Sequence, residues 1–281
     1  MISIVIPTYN RPDMLVNCID RFIYENQGLS NKDYELIITD DSSNSETKDL
    51  IANKYPFFKY YSGPKRGPAA NRNNGAAQAV GDWIMFIDDD CIPDDNIVKN
   101  YIQAIKENPG VTVFEGCIKA DREKQSFLEE SPVNLHGGYL WSCNFLIERP
   151  LFINTLQGFD EKFPFAAMED VDVHVRVKKA SQKIYFVKNA IVIHPWRLQS
   201  DLVTMTQKRL KSEEYFYNKH PELLIVNDRV SKLKNKLRFF YKLFKNIIIF
   251  KGKGLSQFLK AQKLIDENVK ERETLKRNSV I

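Results

Sequence analysis

The sequence predicts an α/β protein with a mostly parallel central sheet, helices on both faces and a C-terminal α-helical appendage. Short apolar runs alternate with helical patterns, joined by about two to six residues, as parallel strands with crossover helices require. Beyond residue 197 the pattern becomes helical and strongly basic. A chain of 281 residues can bury a large core without disulfides or zinc.

Each element follows from a local signal. Strands are predicted where β-branched and apolar residues run together and end in polar or turn residues, and Pro12 suits a first helical turn. The predicted strands are Ile2–Ile6, Tyr34–Thr39, Phe58–Tyr61, Trp83–Ile87 and Val111–Glu115. The predicted helices are Pro12–Asn26, Ser45–Tyr55, Ala69–Val80 and Asp94–Glu107. The runs Ile184–Val187 and Ala190–Ile193 are also strand-like.

The formal net charge of +5 is the sum of two unlike parts. Residues 1–196 carry 21 basic and 27 acidic residues, a net charge of −6. Residues 197–281 carry 20 basic and 9 acidic residues, a net charge of +11. Each part therefore needs its own explanation.

The sequence argues against several classes of protein. The four cysteines are widely spaced, which is typical of reduced thiols in a cytosol rather than of a disulfide framework or a zinc knuckle. The sequence shows no signal peptide and no apolar run long enough to span a bilayer. It also lacks the glycine patterns of dinucleotide sites and P-loops. We therefore expect a cytoplasmic protein.

Three polar clusters follow predicted strands. They are Thr8–Asn10, Asp40–Ser42 and Asp88–Asp90. Ligands of open α/β sheets bind outside the carboxyl ends of the strands. We therefore expect the three clusters to converge on one crevice.

Three consecutive aspartates repel one another unless a cation or hydrogen-bond donors compensate them. Mg²⁺ or Mn²⁺ fits such oxygen ligands, often together with a diphosphate, so Asp88 and Asp90 are candidates for a metal site. His194 ends a strand-like run and could complete that site. The pair Glu169–Asp170 precedes a helical pattern, and its spacing fits a general base and a helix cap equally well.

The first 197 residues resemble the family 2 glycosyltransferases, which have the GT-A nucleotide-sugar-binding fold. Six segments carry the resemblance, in the order that the family has them. They are Val5–Arg11, Asp40–Ser43, Gly67–Asn73, Phe86–Asp90, Gly158–Glu161 and Glu169–Asp172. Of these, Phe86–Asp90 looks like the Asp-x-Asp motif.

The resemblance implies roles in donor binding. Pro7 and Tyr9 would lie along the nucleotide base, Asp41 would hydrogen-bond it, and Arg72 would contact the base or the diphosphate. Asp88 would bind the ribose side, and Asp90 with His194 would hold Mn²⁺ or Mg²⁺. Since three acids are consecutive, the ribose and metal ligands could shift by one residue. Arg11 and Asp89 complete the nucleotide-sugar-binding set.

The resemblance also implies the reaction. Asp170 would be the catalytic base of an inverting transfer from a nucleotide-diphosphate sugar, most often a UDP-sugar. The sugar would be hexosyl or N-acetylhexosaminyl, and the acceptor a glycan or lipid-linked hydroxyl in bacterial surface polysaccharide synthesis. Trp141, Asn144 and Glu169 would lie on the acceptor side, although Trp141 could equally be a core aromatic.

The implied organisation is a catalytic domain over residues 1–197, followed by a basic helical region over 198–281. The nucleotide-sugar half would span 1–116 and the acceptor half 117–197. The sequence leaves two alternatives open. One is a sugar nucleotidyltransferase, although the glycine-rich start of that class is missing. The other is a non-enzymatic protein that binds membrane or nucleic acid through its basic tail.

The tail contains a basic amphipathic helix. Apolar residues recur at three- and four-residue steps from Val230 to Ile248, and no acid occurs between Arg229 and Ile265. The apolar stripe could pack on the catalytic domain with the lysines in solvent. Alternatively, residues 229–265 could bind an anionic membrane surface and make the protein peripheral on the inner face of the membrane. Nucleic-acid binding is the least favoured interpretation, because no recognised module accompanies the charge.

Overall fold

A computed structural model describes the backbone of residues 1–224 and 229–278, and the side chains of 1–224 and 233–274. The chain forms two compact units. The first unit comprises Met1–Asp121, Pro132–Lys162 and Glu169–Pro195. The second comprises Arg122–Ser131, Phe163–Met168 and Trp196–Ile281.

The predicted boundaries near residues 116 and 197 stay predictions. The predicted side-chain pattern at Val230 and Lys232 lies outside the described residues.

The described residues contain ten strands and nine α-helices. The strands are β1 (Ile2–Thr8), β2 (Tyr34–Asp40), β3 (Lys59–Ser62), β4 (Trp83–Phe86), β5 (Ile92–Pro93), β6 (Val113–Ala120), β7 (Glu129–Glu130), β8 (Phe145–Glu148), β9 (Ile184–His194) and β10 (Arg197–Leu198). The helices are α1 (Pro12–Ile19), α2 (Tyr24–Gln27), α3 (Glu46–Lys54), α4 (Pro68–Ala77), α5 (Ile97–Glu107), α6 (Glu169–Lys179), α7 (Leu202–Lys219), α8 (Arg229–Phe250) and α9 (Leu255–Asn278).

The first unit is built on an eight-stranded sheet with the order β3-β2-β1-β4-β8-β6-β9-β5. The pairs β1–β2, β1–β4, β2–β3 and β6–β9 are parallel. Strand β8 runs antiparallel to both β4 and β6. Consequently β1, β2, β4, β6 and β9 all run in one direction and end at one edge of the sheet.

Both faces of the sheet are buried. Along β1, Ile4 and Ile6 belong to one apolar cluster with Leu15 of α1, while Val5 belongs to another with Ala76 of α4. All seven residues of β1 and of β2 are buried. This explains their continuous apolar composition, because a parallel strand covered on both sides does not alternate. The predicted α/β fold with a helical C-terminal appendage is confirmed.

The structure corrects one predicted helix and adds a central strand. The predicted helix Pro12–Asn26 is wrong, because α1 stops at Ile19 and Ile23 has extended backbone with ψ 133° before α2. Side-chain amides replace the lost helical bonds: Asn26 donates to the Asp20 carbonyl, and Gln27 to that of Arg21. Strand β8, whose four residues lie in the middle of the sheet, is not among the predicted strands.

The second unit is mainly helical. It contains α7, α8, α9 and the antiparallel pair β7–β10. Helix α7 begins after Asp201, whose side chain accepts the Thr204 backbone N–H and so satisfies an otherwise unpaired donor. Arg272 of α9 pairs with Glu213 of α7 at 3.0 Å. Within residues 1–224 and 229–278, none of the helices is long and apolar enough to cross a bilayer.

Candidate active site

The carboxyl ends of β1 and β2 are joined by one side chain from α4. The Asn71 amide donates to the carbonyls of Thr8 and Thr39, and its oxygen accepts the Thr39 hydroxyl at 2.6 Å. This side chain is 2% exposed. It holds two polar strand ends together at the edge where the predicted crevice lies.

Arg72, one residue further along α4, lies between acidic groups from distant parts of the chain. Its Nη2 lies 2.7 Å from Asp88 Oδ1, and its Nη1 lies 3.6 Å from Glu169 Oε1. Its guanidinium also stacks over the Phe159 ring. The nearby Asp88 and Glu169 charges raise the pKa of Arg72 despite its burial. Arg72 is therefore a permanent buried cation between two candidate functional carboxylates.

Arg11 occupies a second position among the aspartates. Its Nη2 lies 2.9 Å from Asp89 Oδ1, and its Nη1 lies 3.8 Å from Asp90 Oδ2. Asp89 also accepts the Thr8 hydroxyl at 2.7 Å and is fully buried. Arginine and hydroxyl donors therefore compensate the middle aspartate, which lowers the repulsion within the Asp88–Asp90 cluster.

His194 reaches Asp90 although 104 residues separate them. Its Nε2 lies 3.6 Å from Asp90 Oδ1, and its Nδ1 faces the Pro195 carbonyl oxygen at 3.0 Å. Ligand atoms of Asp90, Cys91 and His194 all lie within 4.8 Å of one another. One carboxylate and one imidazole are a donor set that suits Mn²⁺, with the remaining positions open to phosphate and water oxygens. The residues present fit the implied divalent metal.

Glu169 and Asp170 begin α6 and have perturbed acidity. Burial, and then the neighbouring Asp170 charge, raises the pKa of Glu169 to about 7, while Arg72 opposes the rise. Burial also raises the pKa of Asp170, while Arg72 and the backbone N–H groups of Val171 and Ser142 lower it. The two carboxyls form a proton-accepting pair next to a fixed cation, which is an arrangement suited to general base chemistry.

The predicted base-binding residues lie at the ends of β1 and β2. Pro7 is buried within β1, whereas Tyr9 is 57% exposed. Asp41 accepts the Lys65 backbone N–H at 2.9 Å and that of Gly67. Burial raises the pKa of Asp41. Tyr9 thus provides an accessible ring on which a nucleotide base could stack. Asp41 provides a carboxylate that is oriented by backbone hydrogen bonds and could accept a hydrogen bond from the base.

Two aromatic side chains lie on the predicted acceptor side. The rings of Tyr139 and Trp141 stack with centroids 5.9 Å apart and planes 7° apart. Trp141 packs partly against the main core, whereas Tyr139 is exposed. Trp141 Nε1 is buried and has no hydrogen-bond partner among the residues that the structure describes. Trp141 thus makes a core contact, and its place in the acceptor site stays a prediction.

Asn144 does not join these groups. Its Oδ1 accepts the Tyr101 hydroxyl at 2.8 Å, and its Nδ2 donates to the carbonyls of Cys117 and Ala190. With 1% exposure and three internal partners, it has no group left for a substrate. We therefore leave Asn144 out of the site and treat it as a structural residue.

Three further residues lie at this edge, and the sequence assigns them no role. Thr8, which belongs to a predicted polar cluster, hydrogen-bonds Asp89. Phe159 lies under Arg72, and Cys91 lies beside the metal candidates. Thr8 and Phe159 lie inside the segments Val5–Arg11 and Gly158–Glu161, and Cys91 directly follows Phe86–Asp90, but these patterns assign the three residues no role. The contacts themselves depend on strand order.

Comparison with known proteins gives a family. The profile described as "Glycosyl transferase family 2" matches residues 3–155, more than half of the chain. A Campylobacter jejuni protein named GalNAc(5)-diNAcBac-PP-undecaprenol beta-1,3-glucosyltransferase is 34% identical over 128 residues, 42% of this chain and 38% of that relative. The poly(ribitol-phosphate) beta-glucosyltransferase of Bacillus spizizenii is 32% identical over 142 residues, 47% of this chain and 22% of the relative. The chain thus spans less than half the length of these curated relatives.

Solved structures share the fold. S. aureus TarS 1–349 in complex with UDP-GlcNAc has a TM-score of 0.56 at 17% identity, over 99% of this chain and 92% of that one. The mannosyltransferase PcManGT of Pyrobaculum calidifontis, in complex with GDP-Man and Mn²⁺, has a TM-score of 0.59 at 14% identity, over 95% and 75%. Together with the profile match, this likeness confirms the predicted GT-A fold. The chain belongs to glycosyl transferase family 2.

Proposed function

We propose that this protein is a metal-dependent, inverting glycosyltransferase. It transfers a hexosyl or N-acetylhexosaminyl group from a nucleoside-diphosphate sugar, most readily a UDP-sugar, to a hydroxyl of a glycan or lipid-linked acceptor. Its role would be in bacterial surface polysaccharide synthesis, on the cytoplasmic side of the membrane. Membership of this family favours sugar transfer over nucleotidyl transfer or a purely binding role.

One observation carries the proposal. Arg72 contacts Asp88 at 2.7 Å and faces Glu169 at 3.6 Å, so one cation connects the Asp88–Asp90 cluster with the Glu169–Asp170 pair. The first group is suited to a diphosphate and its metal, and the second to a nucleophilic hydroxyl. A sugar bridging the two groups would have its leaving group and its acceptor at separate places.

The leaving-group side needs positive charge. A nucleoside diphosphate gains negative charge as the bond to the sugar breaks. A divalent ion held by Asp90 and His194 would supply electrostatic stabilisation of that charge. Arg72 and Arg11 would bind phosphate oxygens when these replace part of their present carboxylate contacts, and Asp88 would orient the ribose.

The acceptor side needs a base. Asp170 would take the proton from the acceptor hydroxyl as that oxygen attacks the anomeric carbon opposite the leaving group. One displacement then inverts the configuration. The raised pKa of Asp170 makes its carboxylate a stronger proton acceptor than an exposed aspartate, while Arg72 favours its ionised form. Glu169 would support the acceptor, and Trp141 could stack on a sugar ring.

The Asp170→Asn variant tests the base. We expect turnover, measured as release of nucleoside diphosphate in the presence of acceptor, to fall by roughly 10²- to 10⁴-fold. Nucleotide binding, measured by calorimetry, should stay within about two-fold, because an amide keeps the size of the side chain. The exposed Asp13→Asn variant is the matched control and should keep full activity. Normal turnover by Asp170→Asn would refute the assignment.

The nucleotide specificity of the donor site can be tested with a panel of nucleotide sugars. Thermal unfolding with UDP-, GDP-, dTDP- and CMP-sugars, each with and without Mn²⁺, should show a selective and Mn²⁺-dependent rise for one donor. An equal response to all four nucleotides, or a response independent of the metal, would contradict a specific metal-assisted donor site.

A further inference from the structure

Helix α8 presents an apolar stripe to solvent. Leu233, Leu237, Phe240, Tyr241, Phe244 and Ile248 are each at least 52% exposed. At about 100° per residue, these six side chains fall within an arc of roughly 100°, along roughly 22 Å of helix. We call these six residues the exposed stripe. A contiguous apolar surface of this kind marks an interaction site more often than scattered apolar residues do.

A different side of α8 is packed within the second unit. Phe250 is 4% exposed and makes an edge-to-face contact with Phe127, with ring centroids 5.0 Å apart. Phe239 stacks on Phe258 of α9 at 6.3 Å. The helix is therefore held by aromatic contacts that do not use the exposed stripe. Substitutions on the stripe should consequently leave the fold intact.

Basic side chains border the stripe. In the same helical projection, Lys234, Arg238, Lys242 and Lys245 follow it on one side, and Lys236 lies on the other. All five are exposed. From Arg229 to Ile265 the chain has eleven basic residues and no acidic residue. Apolar and positively charged surfaces thus lie next to each other over most of the helix.

We propose that the exposed stripe docks on an anionic lipid bilayer, with α8 lying in the plane of the surface. The six apolar side chains would enter the boundary between headgroups and acyl chains. The long basic side chains would extend from the stripe to lipid phosphates, keeping their charges in water. This combination of an apolar arc with basic borders is what an interfacial helix needs.

The charge favours lipid over two other occupants. A second copy of this chain would bring eleven basic residues against eleven, with no acid in the segment to neutralise them. Nucleic acid would pair with the basic residues but would leave the aliphatic side chains of the stripe uncovered. An anionic bilayer satisfies both surfaces at once.

The docking surface goes beyond the proposed function and does not depend on it. Vesicle binding needs neither donor nor acceptor, so it can be measured by itself. The Asp170→Asn variant should bind vesicles like the wild type. Loss of turnover and loss of docking are therefore separate results, and either proposal can fail without the other.

The test uses the full chain and flotation with vesicles of phosphatidylcholine alone or with about a third phosphatidylglycerol. The wild type should float with the anionic vesicles and far less with the neutral ones, and salt should weaken the binding. The triple variant Arg238→Gln, Lys242→Gln and Lys245→Gln should bind roughly 100-fold more weakly, at about five-fold per charge. The double variant Phe240→Gln and Phe244→Gln should also lose binding.

A matched control removes the same net charge elsewhere. Lys32, Lys48 and Lys106 are exposed on the first unit, and their triple change to Gln should leave vesicle affinity within about two-fold. Circular dichroism checks that every variant keeps its helices. The salt and lipid dependence of the wild type remains a test even if one variant fails to fold.

Four results would overturn the proposal. One is equal binding to neutral and anionic vesicles, and another is equal loss in the stripe-border and control triple variants. The third is absent vesicle binding together with self-association, seen by sedimentation, that the double variant abolishes; it would assign the exposed stripe to a second copy of the chain. The fourth is RNA binding that needs the basic border but not Phe240 and Phe244, again without vesicle binding; it would assign the stripe to nucleic acid.

Discussion

At the scale of single residues, environment gives similar carboxyl groups different properties. Asp89 is compensated by Arg11 and Thr8 and is fully buried. Glu169 is also buried, and this burial, together with the adjacent Asp170 charge, raises its pKa to about 7. Burial, neighbouring charges and hydrogen-bond donors, rather than the amino-acid type, therefore set the properties of each carboxyl group.

The acidity of Glu169 should appear in the stability of the ligand-free protein. Its pKa rises from 4.5 to about 7 on folding, so between those values the folded chain holds a proton that the unfolded chain has lost. The free energy of unfolding contributed by this group therefore decreases as the pH rises through that window. We expect Glu169→Gln to flatten the decline, measured by urea unfolding between pH 5 and pH 7.5.

The control for this prediction is Glu107→Gln, at the exposed end of α5. It should leave the pH dependence of stability as it is in the wild type. If Glu169→Gln and the wild type had the same slope, the buried carboxyl would not be the titrating group. A steeper decline in the variant would contradict the sign of the predicted effect.

At the scale of elements, β6 and β9 are parallel but not regular. Their pairing shifts between Gly116 and Cys117, and the Asn144 amide bonds the Cys117 and Ala190 carbonyls at the shift. A Cβ on Gly116 would lie 2.2 Å from Asn144 Nδ2, so only glycine fits beside that amide. The bulge changes the alignment of β9, and with it the position of His194 at the strand end.

Asn144→Ala should therefore destabilise the first unit strongly. It leaves the Tyr101 hydroxyl and two buried carbonyls without their partner, at about 1–3 kcal/mol for each unsatisfied group. We expect a loss of at least about 3 kcal/mol in urea unfolding. Asn100→Ala removes a single exposed hydrogen bond to the Asn189 carbonyl and should cost less than about 1 kcal/mol. Equal costs would contradict a structural role for Asn144.

At the scale of the whole molecule, residues distant in the chain form the candidate metal site. Asp90 follows β4, whereas His194 ends β9, and two other strands separate β4 and β9 in the sheet. The two strands run in the same direction, so their ends reach one edge. A ligand bound there would stabilise the folded unit as a whole, because it binds only when this edge is assembled.

His194→Ala should accordingly weaken metal-dependent binding without abolishing the fold. We expect the rise in unfolding temperature caused by Mn²⁺ and a nucleoside diphosphate to fall by more than half. The rise caused by the nucleotide without metal should stay unchanged. The exposed His136→Ala variant is the control and should respond like the wild type. An unaltered Mn²⁺ response in His194→Ala would exclude this histidine as a ligand.

The sequence by itself determined most of the fold. The strand–helix alternation, the polar residues after β1, β2 and β4, and the basic segment near the C-terminus are all local patterns. Such patterns report the neighbours of a residue along the chain, and the family follows from the order of the motifs. The same locality explains the error at Pro12–Asn26. Neither glycine nor proline marks the break in this helix, and the Gln27 side-chain amide stabilises it by donating to the carbonyls of Arg21 and Asp94.

Tertiary structure decided which groups meet. It brought Arg11 to Asp89 and Arg72 to Glu169, and it gave Asn144 a structural position instead of a place at the acceptor. It also decided which side of α8 packs and which side stays exposed. These outcomes depend on strand order, bulges and the packing of separate segments. No local pattern contains them, because the contacting residues are separated by tens of positions in the chain.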